Sequence, residues 1–236
     1  MSRSTAWIVL IASLIGVYLI HFWMERFAAE EICEQRARLI LTAMEADRYI
    51  TSSVIKPALW KEFGDDRFVI EAMSSSFGAR NVFNRIRESY PAFSFKHACL
   101  DPRNRRNLAT DQEKEIIAQF ARDPELTLWD GVMKHTGERR SYIATPVRIT
   151  DQCLKCHGEP EEAPENIQEI YGTEYGYSKK PGELIGALIV SVPLELANNF
   201  GIETYGFLGA LLCLVLAPFI IALRSRETPS DEASHE

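Results

Sequence analysis

Two long apolar runs lie near the ends of the chain. Uncharged, strongly hydrophobic residues occupy positions 6–24 and 205–223. Each run is close to the roughly 20 residues that a helix needs to cross the hydrocarbon core of a bilayer. Trp7 and Trp23 lie near the two ends of the first run and Tyr205 begins the second, as is typical of aromatic residues at a membrane interface. The pattern predicts two transmembrane helices with a polar segment between them.

Basic residues beside the two runs predict the orientation of the chain. Arg3 precedes the first run, and Arg224 and Arg226 follow the second, so the positive-inside tendency places both termini in the cytoplasm. The first run is long for a signal peptide and no clear cleavage site follows it, which favours a retained anchor. We therefore expect a two-pass protein of the cell inner membrane whose central domain lies in the periplasm. The predicted order is a cytoplasmic N-terminus (1–5), a transmembrane helix (6–24), a stalk helix (25–55), the extracytoplasmic domain (56–204), a transmembrane helix (205–223) and a cytoplasmic tail (224–236).

The polar segment opens with a predicted amphipathic helix. No glycine or proline occurs between Glu25 and Ile55, and apolar side chains recur there at helical spacing opposite a charged face. Two interpretations of the apolar stripe remain open: it packs on its own domain, or it pairs with a second copy in a homodimer. In the second case Cys33 could cross-link the two copies. Pro57 is expected to end or kink the helix.

The elements that follow are typical of an α+β protein. A helix is predicted from Ser74 or Ser75 to Glu88, and a second begins at the capping-box pattern formed by Thr110 and Glu113. A turn around Gly137 joins two of the predicted strands as a hairpin. Helices followed by mostly antiparallel strands predict an antiparallel sheet with flanking helices. The strands are predicted over 91–99, 126–133, 141–149 and 184–192.

The strongest chemical signal is the sequence Cys153-Leu154-Lys155-Cys156-His157. C-x-x-C-H is the pattern of a c-type haem attachment site. Two cysteines at this spacing can form thioethers with the two vinyl groups of one haem, and the next histidine can bind the iron. A thioredoxin-type pair would open a helix in a βαβ pattern, and a zinc site would need more ligands nearby; neither is visible. We predict one covalently attached haem c per chain, with His157 as the proximal iron ligand.

A second axial ligand is expected from the elements that precede the haem motif. His97 and Cys99 lie on one face of the strand predicted over 91–99, and Met73 opens the helix just before that strand. Met133 is a fourth candidate. Histidine, methionine and cysteine thiolate all bind haem iron. Cys99 and Met73 rank ahead of His97, because a histidine in the middle of a strand is more often a hydrogen-bonded core residue.

Charge and composition narrow the function. The chain has a net charge of −7 and no block of Lys and Arg, which argues against nucleic-acid binding. No second catalytic constellation accompanies the haem motif, so we predict no catalytic residues and no enzyme. Arg103 and Arg106 lie in a basic, turn-rich segment and could hold haem propionates, because a guanidinium group binds a carboxylate bidentately. The alternative is that this segment is a solvated loop.

Several short motifs in combination resemble one protein family. The segment from Lys96 to Asn107 is similar to the pattern K-x-x-x-x-x-P-x-N-x-R-N, and the haem motif continues to Gly158 and Pro160. Over about residues 48–193 the chain resembles the Tll-like haem domains, a family of PAS-like, single-haem c-type domains. The resemblance implies a PAS-like fold and a role in sensing redox state or a ligand. Further matches are Lys56-Pro57, Met73-Ser74, Tyr90-Pro91, Ala163-Pro164, Tyr171-Gly172 and Gly182-Glu183.

Two functions remain open at this point. In the first, the domain is a redox or gas sensor whose haem changes state and shifts the membrane helices. Because only residues 224–236 follow the second apolar run, such a sensor is expected to signal through a partner protein. In the second, the chain is a membrane-tethered electron-transfer cytochrome subunit of a respiratory or photosynthetic chain. The expected partners are therefore the lipid bilayer and an unidentified signalling or redox protein.

Overall fold

The computed structural model describes residues 3–64, 66–200, 209, 211–212 and 216 of the 236-residue chain. Most of the predicted second transmembrane helix, with Cys213, and the whole predicted tail lie outside the described residues. The helices are α1 (Arg3–Tyr49), α2 (Lys56–Phe63), α3 (Ile70–Met73), α4 (Ser75–Ser89), α5 (Asp111–Arg122), α6 (Asp151–His157) and α7 (Glu165–Tyr171). The strands are β1 (Ser94–Cys99), β2 (Trp129–His135), β3 (Glu138–Arg148) and β4 (Leu184–Pro193).

The chain divides into two compact units, and Glu30–Leu196 is the unit that carries the sheet and the haem motif. Its four strands pair in the order β1-β4-β3-β2, and every pair is antiparallel. The predicted α+β class, with an antiparallel sheet and flanking helices, is thereby confirmed. The predicted hairpin is confirmed as well: Thr136 and Gly137 join β2 to β3 with φ angles of 49° and 90°. Two successive positive φ values suit the right-handed twist of the flanking strands.

One face of the sheet packs against α5. Ile116, Ile117 and Phe120 of α5 are buried against Ala144 of β3 and Ile189 of β4. The capping box that was predicted from the sequence begins this helix and is confirmed. The burial of an apolar helix face on an apolar sheet face gives the domain its main core.

The opposite face of the sheet packs against α1 and α4. The rings of Phe83 on α4 and Phe95 on β1 lie 5.6 Å apart. Thr145 of β3 donates a 2.6 Å hydrogen bond to Glu45 of α1. These contacts fix α1 and α4 against the face of the sheet that also carries His97 and Cys99.

Most of the apolar stripe of α1 packs on the domain of its own chain. Cys33 and Met44 are fully buried, and the Cys33 thiol donates to the carbonyl oxygen of Pro193 at 3.4 Å. Burial of this thiol argues against the expected cross-link between two copies. Leu39, by contrast, is 72% exposed on the other side of the helix. The homodimer through α1 stays a prediction.

Helical structure does not end at Pro57, although its α-helical hydrogen bonding is interrupted just before it. Helical structure continues through a π-helical segment, Ile50–Ile55, into α2, which ends at Phe63. In the π-helical segment the N–H of Lys56 donates to the carbonyl oxygen of Thr51, five residues earlier. Pro57 then lies in the first turn of α2, where the absence of an N–H costs little.

Among the described residues, one helical stretch, Ile11–Phe63, is long and apolar enough to cross a membrane by length and composition. The predicted spans 6–24 and 205–223, and the two-pass arrangement built on them, stay predictions.

Candidate functional site

A cavity of about 630 Å³ opens on the sheet face that carries His97 and Cys99. Its volume lies within the roughly 300–1,000 Å³ of small-molecule and cofactor sites. The end of α1, the π-helical segment, α4, β1 and α6 all contribute to its walls. The cavity brings together seven of the residues proposed from the sequence: Met73, His97, Cys99, Arg103, Cys153, Cys156 and His157.

The two cysteines of the haem motif lie on α6. They are three residues apart, so both side chains lie on the same side of this short helix, within one turn. Cys153 is partly exposed and Cys156 is buried, and both are free thiols. Burial raises the pKa of Cys156 above its ordinary value. Two unpaired thiols facing one cavity can both bond to the same ligand edge.

His157 ends α6 and is oriented by a backbone carbonyl. Its Nδ1 lies 2.7 Å from the carbonyl oxygen of Gly176. Burial, aided by the positive charge of Arg103, lowers the pKa of His157 to about 4, so the ring is neutral at pH 7. Because a carbonyl oxygen only accepts, the single ring proton is on Nδ1. The Nε2 lone pair is therefore available to a metal, which is the usual arrangement of a metal-binding histidine.

Arg103 holds the haem motif against the Gly176 loop. Its Nη2 donates to the carbonyl oxygen of Cys156 and, at 3.2 Å, to that of Gly176. Its guanidinium carbon lies 4.0 Å from the ring centre of Tyr177. These contacts make Arg103 a positioning residue for His157.

Gly176 is suited to this loop in two ways. Its φ of 72° is unfavourable for other residues, and a Cβ there would approach Cγ of Arg103 to 2.8 Å. The N–H of Gly176 also donates to Asp101 at 3.0 Å, and Lys179 donates to the same carboxylate oxygen. Although burial alone would raise it, these two hydrogen bonds lower the pKa of Asp101. Gly176, whose carbonyl oxygen accepts the His157 proton, is therefore held by Arg103 at that oxygen and by Asp101 at its N–H.

Arg103 and Arg106, the two arginines predicted to hold propionates, have different surroundings. The Nη2 of Arg103 donates to backbone carbonyls, and the side chain stacks on an aromatic ring. Arg106 is exposed in a short 3-10 helix, Arg105–Asn107, and does not line the cavity. Neither position favours the expected role, which stays a prediction.

His97 takes part in a chain of hydrogen bonds at the back of the cavity. Nη1 of Arg48 lies 3.0 Å from Oγ of Ser76 and 3.4 Å from Nδ1 of His97, and Ser76 Oγ lies 2.7 Å from the same Nδ1. Burial, followed by the charge of Arg48, lowers the pKa of His97, so the ring is neutral. Since arginine only donates, Nδ1 accepts and the ring proton is on Nε2. The Nε2 atom is buried and has no partner among the described residues.

Two sulfur atoms also line the cavity. Cys99 follows His97 on the same strand face, and its thiol makes only a long contact, 3.8 Å, with the carbonyl oxygen of His97. Burial raises the pKa of Cys99 to about 12. The sulfur of Met73 accepts a hydrogen bond from the N–H of Val69 at 3.2 Å. Met133 packs against the α5 core and does not line the cavity, so its candidacy as an iron ligand is wrong.

Sequence reasoning gave no site role to several polar residues of the cavity wall, among them Arg48, Ser76 and Arg80. Ser76 and Arg80 are four residues apart on α4, so they lie on the same face of that helix. That spacing was visible in the sequence. The contact of Ser76 with Arg48, which is 28 residues away, was not.

We expect the Arg103→Gln substitution to loosen the contact between α6 and the Gly176 loop. Loss of the two carbonyl contacts and of the stacking on Tyr177 should lower the free energy of unfolding by about 1–3 kcal/mol. Hydrogen exchange at the Gly176 amide should become faster. Arg106→Gln, the same change at an exposed position, is the control. Equal stability and equal exchange in the two variants would contradict the assigned role of Arg103.

Comparison with known proteins identifies the family to which this chain belongs. No curated protein matches the chain. One solved structure that matches is described as the "Crystal structure of the cyanobacterial heme-protein Tll0287". The match has 20% sequence identity and a TM-score of 0.49, and it covers 67% of this chain and 93% of that one. Residues 26–193 match the family described as Tll0287-like. This match extends over more than half of the 236 residues, and the chain therefore belongs to the Tll0287-like family.

Proposed function

We propose that the chain is a membrane-anchored c-type haem protein that serves as a redox or ligand sensor and signals through a partner protein. One haem is attached to Cys153 and Cys156, and His157 is the proximal ligand of its iron. The observation that carries the proposal is the His157–Gly176 hydrogen bond beside two free thiols in a cofactor-sized cavity. The chain belongs to a family that includes a cyanobacterial heme protein, which supports the same cofactor.

The residues of the cavity fit a haem. The Cys153 and Cys156 thiols can each add across one vinyl double bond, which moves the S–H hydrogen to the vinyl carbon and leaves a thioether. The two cysteines on α6 would then hold one edge of the ring. Because Nδ1 of His157 donates to the carbonyl oxygen of Gly176, the Nε2 lone pair on the other side of the imidazole is left for the iron. The bound haem supplies an iron that changes oxidation state and accepts axial ligands.

Cys99 is the distal ligand that the geometry favours. With Nδ1 of His97 accepting from Arg48, its Nε2 carries the ring proton, so iron binding at Nε2 would first require that proton to leave. The sulfur of Met73 already accepts from a backbone N–H. Cys99 has no comparable competing contact, and cysteine thiolate is an established haem ligand. Loss of this ligand on reduction would give the domain two discrete states.

The π-helical segment Ile50–Ile55 favours sensing over simple electron transfer. Ser52 and Ser53 of this segment line the cavity, and the segment directly continues α1. π-helical turns are rare and occur frequently at functional sites. A change in the cavity can therefore alter the register of the helix that leads to the predicted membrane anchor.

We expect the haem to be covalent. Wild-type protein that is denatured and extracted with acidified acetone should keep its haem stain on a gel, because thioethers survive both treatments. The double variant Cys153→Ala/Cys156→Ala should lose the stain, whereas Cys33→Ala should keep it. Retention of extraction-resistant haem by the double variant would show that attachment occurs elsewhere.

Of three single variants, we expect only Cys99→Ala to change the low-spin spectrum of the ferric protein. His97→Ala and Met73→Ala, which also remove cavity side chains, should keep the ferric low-spin state. If Cys99 leaves on reduction, the ferrous wild-type protein should bind added CO. Loss of the low-spin ferric spectrum in His97→Ala would assign the ligand to His97. An iron that stays six-coordinate and excludes CO in both oxidation states would favour the electron carrier.

We expect the haem domain to lie on the periplasmic side of the inner membrane. Protease added to intact spheroplasts should cut between residues 25 and 204, because the positive-inside tendency places both termini in the cytoplasm. A tag placed after Glu236 should be protected until the membrane is opened. A tag that is accessible from outside would contradict the two-pass arrangement.

A further inference from the structure

Arg48 forms no direct ion pair among the described residues. Among the described residues, its guanidinium donates only to neutral groups, Ser76 and His97. Glu45 accepts instead from Thr145, and Asp47, the neighbouring carboxylate, forms no ion pair with Arg48. Burial lowers the pKa of Arg48, and the charges of Glu45 and Asp47 offset this only in part. A buried cation without a direct ion pair is costly, so the position of Arg48 suits an anionic ligand.

Arg80 has the same need and lies on the same wall. It lines the cavity, and within the described part of the chain its charge meets the ring of Phe77 at 5.4 Å and no carboxylate. Arg80 is one helical turn from Ser76, and Ser76 contacts Arg48, so both arginines belong to the wall that α4 and α1 build. An anionic group bound at this wall would interact favourably with both charges.

The other cations of the cavity wall are used in other ways. Lys179 forms an ion pair with Asp101 at 3.1 Å, and Arg148 and Arg103 donate to backbone carbonyl oxygens of their own domain. Lys56, like Arg80, meets an aromatic ring, that of Trp60 at 5.3 Å. Arg48 and Arg80 are distinguished by their place, because both lie on the wall that also carries His97.

His97 adds a neutral donor to this wall. Its Nε2–H is buried without a partner among the described residues, and its orientation is fixed by Arg48 and Ser76 through Nδ1. A buried N–H without an acceptor loses the free energy of a hydrogen bond. Two guanidinium groups and one N–H match the several lone pairs of carboxylate oxygens.

We propose that Arg48 and Arg80, assisted by the Nε2–H of His97, form the binding site for the haem propionates. This inference rests on the proposed function, because the carboxylates belong to the haem. It moves the propionate site from Arg103 and Arg106, which follow β1, to the wall built by α1 and α4. The same wall contains the start of the π-helical segment, so the propionates would contact the helix that leads to the predicted membrane anchor.

The test compares four haem-loaded variants of the full chain with the wild type: Arg48→Gln, Arg80→Gln, Arg80→Lys and Arg106→Gln. Resonance Raman spectra report the propionate bending bands, and a redox titration reports the midpoint potential. Arg48→Gln and Arg80→Gln should shift the propionate bands and lower the potential, because loss of a nearby positive charge stabilises ferric haem. Arg80→Lys should keep the potential but shift the band, since lysine cannot bind bidentately.

Arg106→Gln is the matched control and should be indistinguishable from the wild type. Propionate bands that move in Arg106→Gln, and not in Arg80→Gln, would overturn the inference. If Arg48→Gln does not accumulate as folded protein, Arg80→Gln decides alone, because Arg80 is only partly buried. Absence of extraction-resistant haem from the wild type would instead overturn the proposed function. Unchanged bands in haem-loaded Arg48→Gln and Arg80→Gln would overturn only the assignment of the propionate site.

Discussion

The hydrogen bond between His157 and the carbonyl of Gly176 is the constraint on which the candidate site depends. It determines which ring nitrogen carries the proton, and so which nitrogen can bind a metal. The bond exists because Arg103 ties the end of α6 to the loop that contains Gly176, and because Asp101 holds the amide of the same glycine. A basic segment that follows β1 thus controls the geometry of a histidine about fifty residues later.

The register of β1 separates the core from the cavity. Lys96 and Ala98 point towards α5, where Ala98 joins the buried core and Lys96 forms a 2.7 Å ion pair with Glu113. His97 and Cys99 point the other way, into the cavity. Because successive strand residues alternate between faces, a shift of one residue would bury the cation and remove both candidate ligands. One strand therefore serves stability on one face and the proposed chemistry on the other.

Electrostatics distinguishes the two groups of arginines. Arg103 donates hydrogen bonds to carbonyl oxygens and stacks on an aromatic ring, so its contacts connect parts of the protein itself. Arg48 and Arg80 have no carboxylate partner among the described residues and line a cavity of cofactor size. Arg106 is exposed, as expected of a solvated loop residue. The sequence could not distinguish the roles of these arginines. An arginine is the same letter in the sequence whether its partner in the fold is a carbonyl, a ring, water or a ligand.

The sequence by itself determined the local features of this protein: the haem motif, the four strands, the α5 capping box and the hairpin at Gly137. Each depends on residues that are close together in the chain, where spacing and turn chemistry decide the outcome. It also indicated the family, through motifs spread over the domain. The tertiary structure decided the rest. The contacts of Gly176 with His157, of Arg103 with Cys156 and of Arg48 with Ser76 join distant segments, and helical structure passes Pro57 through a π-helical turn. The proton positions on His97 and His157 follow from those contacts, because a histidine tautomer is chosen by the partner that packing places beside it.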